Sequence, residues 1–218
     1  MGLPKRFDKK LQRHMGLHAV WPPGNPIELA DVLQRQDGIF RPVDNLSSFQ
    51  VKFRRQRFKD QRAISLKASG VSVTVIQGGG EVDVNDVDVA ASATLEISFT
   101  KENSYFIRTP ALWGVEIEDL RKVGRSLRKH PEWQHRRFYL AWQIYSARDF
   151  MFLGSESRNR KVSFGGNGSA ILKLLSLGAT ANITRSSTSN VSVAVVGKGG
   201  PMAMAIARVR RNGDIEFV

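Results

Sequence analysis

The sequence predicts an α+β fold: a twisted, mostly antiparallel β-sheet with a short basic N-terminal helix and a few peripheral helices. Three patterns carry this prediction. Residues 87–99 alternate with a period of two, setting Val87, Val89, Ala91, Ala93, Leu95, Ile97 and Phe99 against Asp88, Ser92, Thr94, Glu96 and Ser98, with only Ala90 out of step. Such alternation sends one set of side chains to each face of a strand. Shorter alternating runs recur between Ser-, Asn- and Gly-rich spacers, and helical spacing is confined to a few short stretches. Helices, then strands, a helix, and strands again is the order of an α+β domain.

The elements follow in chain order. Pro4 suits the first turn of a helix, Phe7, Leu11 and Met15 follow at i, i+4 and i+8, and Gly16 is a natural stop. This helix is basic, and its narrow apolar stripe suits either docking on a sheet or lying on a membrane. Leu17 to Trp21 reads as a short strand, broken by Trp-Pro-Pro-Gly. Asn25 as N-cap, Pro26 at N1 and Glu28 at the capping-box position predict a second helix over Ile27–Gln36.

From Phe40 the pattern becomes β. Val51, Phe53 and Arg55 alternate with Lys52, Arg54 and Gln56. Ile64–Ala68 follows, then Val71–Ile76 with Val71, Val73 and Val75 on one face. Gly78-Gly79-Gly80 reads as a turn, and Val82 and Val84 lead into the long run. A strand that crosses a bilayer needs about 9–11 residues, and 87–99 is long enough. Tyr105–Arg108 continues the sheet. Ile117, Leu120, Val123 and Leu127 predict a helix over Val115–Lys129, ended before Pro131. Phe138, Leu140, Trp142 and Ile144 alternate again. Short β runs are expected at Phe150–Leu153, Lys161–Phe164, Ile171–Leu177, Asn190–Val196 and Met202–Arg210, with spacers at Gly165–Ser169, Ser186–Asn190 and Gly197–Gly200.

The length of 218 residues suits a single domain, and 41% hydrophobic residues suffice for a core. No run of about 18 apolar residues exists, so no transmembrane helix is expected. The opening Met-Gly-Leu-Pro-Lys-Arg lacks the apolar stretch of a secretory signal, and Arg6 stands where a myristoylation motif wants Ser or Thr. The absence of cysteine excludes disulfides, thiolate zinc sites and S-acylation.

Lys and Arg number 33 against 20 Asp and Glu, a net charge of +13. Such a surface attracts polyanions, either nucleic acid or anionic lipid headgroups. The charge is clustered: Lys5, Arg6, Lys9, Lys10 and Arg13; Lys52, Arg54, Arg55, Arg57, Lys59 and Arg62; Arg121 to Arg137; and smaller groups at Arg158–Lys161 and Arg208–Arg211.

No catalytic constellation emerges. His14 and His18 have metal-ligand spacing, but Gly16 lies between them and a zinc site needs three or four ligands. The glycine runs lack the Gly-Lys-[Ser/Thr] ending of a phosphate cradle, and no Gly-x-Ser-x-Gly elbow occurs. Asp83, Asp86 and Asp88 read as solvated turn carboxylates. Tyr139, Trp142 and Tyr145 alternate with apolar neighbours as core or sheet-surface residues. Neither an enzyme nor a cofactor is expected.

The order of pieces resembles the pore-forming domain of the gasdermin family, its bacterial members most of all. The resemblance runs from Leu3 to Arg210. It includes the basic N-terminal helix, Val43-Asp44-Asn45-Leu46-Ser47-Ser48, the stretch Leu95 to Thr100 followed by Tyr105–Ile107, the helix near Glu116–Lys129, and Phe138–Ser146. It ends on Asn190–Val196, a glycine turn, and Pro201 to Arg210.

The resemblance implies a single pore-forming domain over 1–218. It implies a monomer that binds anionic membrane lipid and then assembles as a homo-oligomer, with sheet segments refolded into transmembrane β-hairpins. The outcome is membrane permeabilisation, cell death and antiviral defence. Lipid binding falls to Lys5, Arg6, Lys9, Lys10, Arg13, Arg54, Arg55 and Arg57. Residues 64–99 supply one hairpin with its tip at Gly78–Gly80, and about 138–195 the second, with its tip near Gly165–Ser169. The membrane-inserting residues are Val71, Val73, Val75, Val87, Val89, Leu95, Ile97, Phe99, Leu172, Leu174, Val191 and Val193. Bacterial members carry a lipidated cysteine and a protease-released C-terminal segment. This chain has no cysteine and runs only a little past the last pore-domain strand, so two alternatives stand for its control: a regulatory partner chain, as in fungal members without a tail, or a C-terminal inhibitory segment that has been removed. The expected location is cytoplasmic when inactive and the inner or plasma membrane when active. The alternative is a basic nucleic-acid-binding α+β protein, which explains the charge but not the alternation; the pore reading expects no specific nucleic acid. A third reading is an assembly protein whose sheet pairs with copies of itself.

Overall fold

The computed structural model describes residues 1–60, 63–135, 137–177, 184–188 and 192–218. Along the chain run helix α1 (Leu3–Met15) and strands β1 (His18–Ala19), β2 (Asp31–Gln36), β3 (Ile39–Asn45), β4 (Arg55–Asp60), β5 (Ile64–Lys67), β6 (Val71–Gln77), β7 (Gly80–Val82) and β8 (Ser92–Phe99). Next come β9 (Ser104–Thr109), β10 (Leu112–Ile117), helices α2 (Leu120–Leu127) and α3 (Pro131–His135), and the long β11 (Tyr139–Ser155). The chain ends with β12 (Arg160–Asn167), helix α4 (Gly168–Leu177), β13 (Thr184–Thr188), the long β14 (Val193–Val209) and β15 (Ile215–Phe217). The described strand pairings are antiparallel, which is the predicted α+β class. The residues group into two compact units, and α1, β11 and β14 each give residues to both.

One unit comprises Phe7–Gln61, Leu112–Ser146 and Gly200–Val218. Its core gathers Val20, Leu33, Phe40, Leu46, Val123, Leu127, Trp133, Leu140, Ile144 and Ile206. Strand order β1–β14–β11–β10–β4 runs through it, with β2 paired to both β3 and β11. Phe7 and Leu11 of α1 are fully buried here, each contributing about 1.5–3 kcal/mol. Gly16 ends the helix at φ +70°, its N–H donating to the Gln12 carbonyl at 2.9 Å. Buried Asp8 accepts from the Ala19 N–H at 2.8 Å and stands 3.3 Å from His18 Nδ1, which ties the helix to β1.

The helix expected over Ile27–Gln36 is instead a turn followed by the β2–β3 hairpin. Asp31 Oδ2 accepts from the Glu28 N–H at 2.7 Å, and the Ala30 N–H donates to the Ala141 carbonyl, so the backbone is committed before a helix can propagate. Asp37 and Gly38, at φ +50° and +83°, turn the chain so that Gln36 faces Ile39. Asp-Gly with both residues at positive φ is the two-residue hairpin turn whose twist matches the flanking strands. The helix expected over Val115–Lys129 is shorter. Residues Leu112–Ile117 pair with β4, and Asp119 caps α2 by accepting from the Lys122 N–H at 3.1 Å.

The other unit comprises Met1–Arg6, Arg62–Ala111 and Ala147–Gly199. Its five-stranded sheet has the order β13–β12–β8–β6–β7. Strands β5, β9 and the second half of β11 pair beside one another, with Leu66 and Phe152 both opposite Ile107. The predicted turn is present: Gly78 and Gly79 have φ of +60° and +85°, and Gln77 pairs with Gly80 across it.

Further expectations are corrected in this unit. The long strand over 87–99 is a strand only over Ser92–Phe99, because the preceding residues are a single 3₁₀ turn, Val84–Asp86, and a loop held by side-chain bonds. The run Ile171–Leu177 is the end of α4, not a strand. Asn167 Oδ1 accepts from the Ala170 N–H at 2.8 Å as a cap, and Ile171, Leu174 and Leu175 bury at i, i+3 and i+4. The runs at Phe138–Ile144 and Phe150–Leu153 merge into β11, and the glycines of 197–200 lie inside β14. A Cβ on Gly199 would stand 2.4 Å from the Arg148 carbonyl oxygen, so close strand approach explains that glycine.

Candidate functional site

Two features of the chain bear on function: a cationic helix face and a two-faced sheet. On α1, Lys5, Arg6, Lys9, Lys10 and Arg13 are all exposed, while Leu3, Phe7 and Leu11 are fully buried. A period of 3.6 places the two sets on opposite sides. The apolar stripe is therefore committed to protein, and what α1 offers a partner is charge. Arg54, Arg55 and Arg57 are exposed as well, on β4 and the residue before it. Arg54 Nε stands 3.6 Å from Glu118 in an open ion pair, and the Arg55 guanidinium lies 5.7 Å from the Phe53 ring centre. Exposed pairs of this kind contribute little and leave the arginines available.

The expected hairpin residues divide sharply by place. Register sets Val71 opposite Phe99, Val73 opposite Ile97 and Val75 opposite Leu95. On the other flank of β8, Val162 faces Ile97 and Phe164 faces Leu95. Val71, Val75, Leu95, Ile97 and Phe99 are buried in one cluster with Val87, and Val73 packs against it. The opposite face of β8, Ser92, Thr94, Glu96 and Ser98, is partly or fully exposed, with Glu96 2.7 Å from the Lys161 ammonium. Leu174 is buried and Leu172 packs on the cluster, both from α4, so the helix lies against the apolar side. Val89 is 54% exposed. Val193 is half-buried on β14, and Val191 lies outside the described residues.

A contact that sequence reasoning missed holds the loop before β8. Gln77 donates from Nε2 to the Asp88 carbonyl and accepts the Asp88 N–H at Oε1, both at 3.0 Å. Asp88 Oδ1 accepts from the Ala90 N–H at 2.9 Å. The start of α4 adds two bonds, Gly168 N–H to the Ala91 carbonyl at 2.8 Å and Ser169 N–H to the Val89 carbonyl at 3.3 Å. A Cβ on Gly168 would stand 2.0 Å from the Asp88 carbonyl oxygen, so only glycine admits this approach. The glycine itself was the available signal, since Gly165–Ser169 reads as a spacer unless its neighbour is known.

Buried Tyr105 on β9 has its phenol pushed up to about 12 by desolvation, with the Arg6 guanidinium pulling the other way. His14 is exposed while His18 is buried beside Asp8, so the two histidines do not share a face. Among the described residues no three His, Asp or Glu side chains gather to hold a metal ion.

No family model matches the chain, and no curated protein does. Among solved structures, the chain is similar to a bacterial gasdermin from Bradyrhizobium tropiciagri, at a TM-score of 0.40 and 11% identity, over 96% of this chain and 89% of that one. It is also similar to gasdermin A3 in its membrane pore, at a TM-score of 0.39 and 12% identity, over 98% and 93% of the two chains.

Proposed function

We propose that this chain is a membrane pore-forming protein, acting as one pore-forming domain. It binds anionic lipid through Lys5, Arg6, Lys9, Lys10 and Arg13 of α1 and through Arg54, Arg55 and Arg57. It then oligomerises and refolds parts of its sheet into transmembrane β-hairpins, which permeabilise the membrane and kill the cell. It rests in the cytoplasm and acts at the inner or plasma membrane, and antiviral defence is the setting that fits such a device.

The observation that carries this reading is the two-faced sheet of β6, β8 and β12. Its apolar residues sit in register on one side and its polar residues on the other. A barrel wall needs that arrangement, with one face for lipid, one for water, and backbone groups satisfied between strands. No described helix is long and apolar enough to cross a membrane.

Strands β8 and β12 have 8 residues each, and a tilted crossing needs about 9–11. The missing length lies in the loop before β8 and in α4. Opening of the Gln77–Asp88–Gly168 contact and unwinding of α4 therefore precede insertion. The first hairpin then carries Val71, Val73, Val75, Val87, Val89, Leu95, Ile97 and Phe99 outward, and the second Leu172, Leu174, Val191 and Val193. The test is dye leakage from vesicles containing phosphatidylglycerol, against vesicles of phosphatidylcholine alone. Leakage from the first and not the second is expected. Folded protein that leaves both tight at every concentration overturns the reading.

A further inference from the structure

Three stretches of one unit converge on an open cavity of about 360 Å³: α1 at Arg6, the turn joining β8 to β9 at Thr100, Lys101 and Glu102, and the turn joining β11 to β12 at Arg158. Three of these five residues are cations and one is a carboxylate; none is apolar. Among the described residues, none of the three cations is in an ion pair. The Arg6 guanidinium donates from Nη1 to the backbone carbonyl of Glu102, at 3.3 Å.

Both turns are fixed before any ligand arrives. The Thr100 N–H and its Oγ1 hydroxyl both donate to the Gly70 carbonyl, at 2.8 and 3.0 Å. A Cβ on Gly70 would stand 2.7 Å from Lys101 Cγ, so the lysine stem lies against bare glycine backbone. In the other turn, Ser155 Oγ donates to the Ser157 carbonyl at 2.7 Å, and the Glu156 N–H donates to Ser192 Oγ at 3.0 Å. Arg160, two residues on from Arg158, pairs across the sheet with Phe99, and among the described residues its buried Nε has no hydrogen-bond partner.

Like charges held together by fixed turns repel, and an anion placed among them reverses that cost. Guanidinium groups offer planar forks that match phosphate oxygens, and an ammonium adds a point charge. We propose that this cavity binds a phosphoryl group, with Arg6 and Arg158 gripping its oxygens and Lys101 neutralising its charge. The site deepens the lipid-binding reading and rests on it only for the carrier, since a lipid headgroup and a free phosphate present the same chemistry.

The experiment uses the full chain and the double variant Lys101→Gln, Arg158→Gln. Both side chains are exposed, and an unchanged thermal midpoint verifies the fold. Inorganic pyrophosphate is titrated by calorimetry. Binding by the parent chain, weakened roughly tenfold or more in the double variant, is expected. A second pair of exposed lysines, Lys122→Gln with Lys129→Gln, removes the same net charge and should leave binding unchanged. No binding by the parent chain, equal binding by the double variant, or equal weakening by the control pair overturns the site. Flotation with vesicles containing phosphatidic acid then assigns the source. Weaker flotation of the double variant identifies a headgroup. Unchanged flotation, with pyrophosphate binding lost, identifies a free phosphate site and leaves lipid binding to the rest of α1. Absence of flotation by the parent chain overturns the lipid reading while the pyrophosphate result stands alone.

Discussion

At the scale of single residues, two side chains make sharp predictions. Tyr105 is 3% exposed, and burial holds its phenol neutral up to a pKa of about 12, from an ordinary 10. A folded-state pKa above the unfolded one means stability is fully present below pH 10 and is lost as pH rises from 10 toward 12. The loss is on the order of 2 kcal/mol. Urea unfolding across that window should show it, and Tyr105→Phe should flatten that part of the curve. Gln77 holds the Asp88 backbone by two bonds. Gln77→Leu should cost about 1–3 kcal/mol and speed amide exchange at Asp88 and Ala90. If the loop must open before insertion, the same variant should leak dye at lower protein concentration.

At the scale of elements, β8 and the loop before it behave differently although one alternating pattern covers both. Leu95 is fully buried, and Leu95→Asp should lose the fold, since an unpaired carboxylate there costs several kcal/mol. Val89 is 54% exposed in the loop, so Val89→Lys should keep the thermal midpoint of the parent chain. In a pore, that lysine would face lipid near the middle of the membrane and cost about 2–4 kcal/mol in every subunit. Folded Val89→Lys should therefore fail to leak dye. Normal leakage by that variant would falsify the assignment of 87–91 to a hairpin. The same logic explains why α4 matters: its Ile171, Leu174 and Leu175 share one core with the apolar side of β6, β8 and β12, together with Phe106 of β9 and Met151 and Leu153 of β11.

At the scale of the whole molecule, a net charge of +13 sets how the chain meets an anionic surface. Each basic residue near such a surface contributes about 1 kcal/mol, and salt screens the attraction within roughly 10 Å. Lys9→Glu with Lys10→Glu should weaken flotation with phosphatidylglycerol vesicles greatly, and high salt should reproduce the effect with the parent chain. Leakage should also rise steeply with protein concentration, because a pore needs many copies. Leakage that is first order in protein throughout would instead point to disruption by single chains.

Local physics made part of this fold legible in the sequence. The spacing of Phe7, Leu11 and Met15 with a glycine stop determined α1, and strict alternation determined β6 and Ser92–Phe99 of β8. The Gly78–Gly79 turn followed from backbone freedom alone. The exposed cations of α1 were legible for the same reason, since one helical period separates them from the buried stripe. Other elements turned on partners far along the chain. Residues 27–36 carry good helix-start chemistry, yet Ala30 bonds to Ala141 and Val32–Leu33 pair with β11, and pairing outweighs propensity. The Asp37-Gly38 turn was the local clue to that outcome. Val87–Ala91 alternates as well as β8 does, but Gln77 and Gly168 hold its backbone as a loop. Ile171–Leu177 satisfies both periods over so short a run, and the cap at Asn167 with the apolar sheet beneath it selects the helix. The cavity of Arg6, Lys101 and Arg158 is wholly tertiary: its three cations are far apart in sequence, and only the meeting of two sheet turns with α1 brings them together.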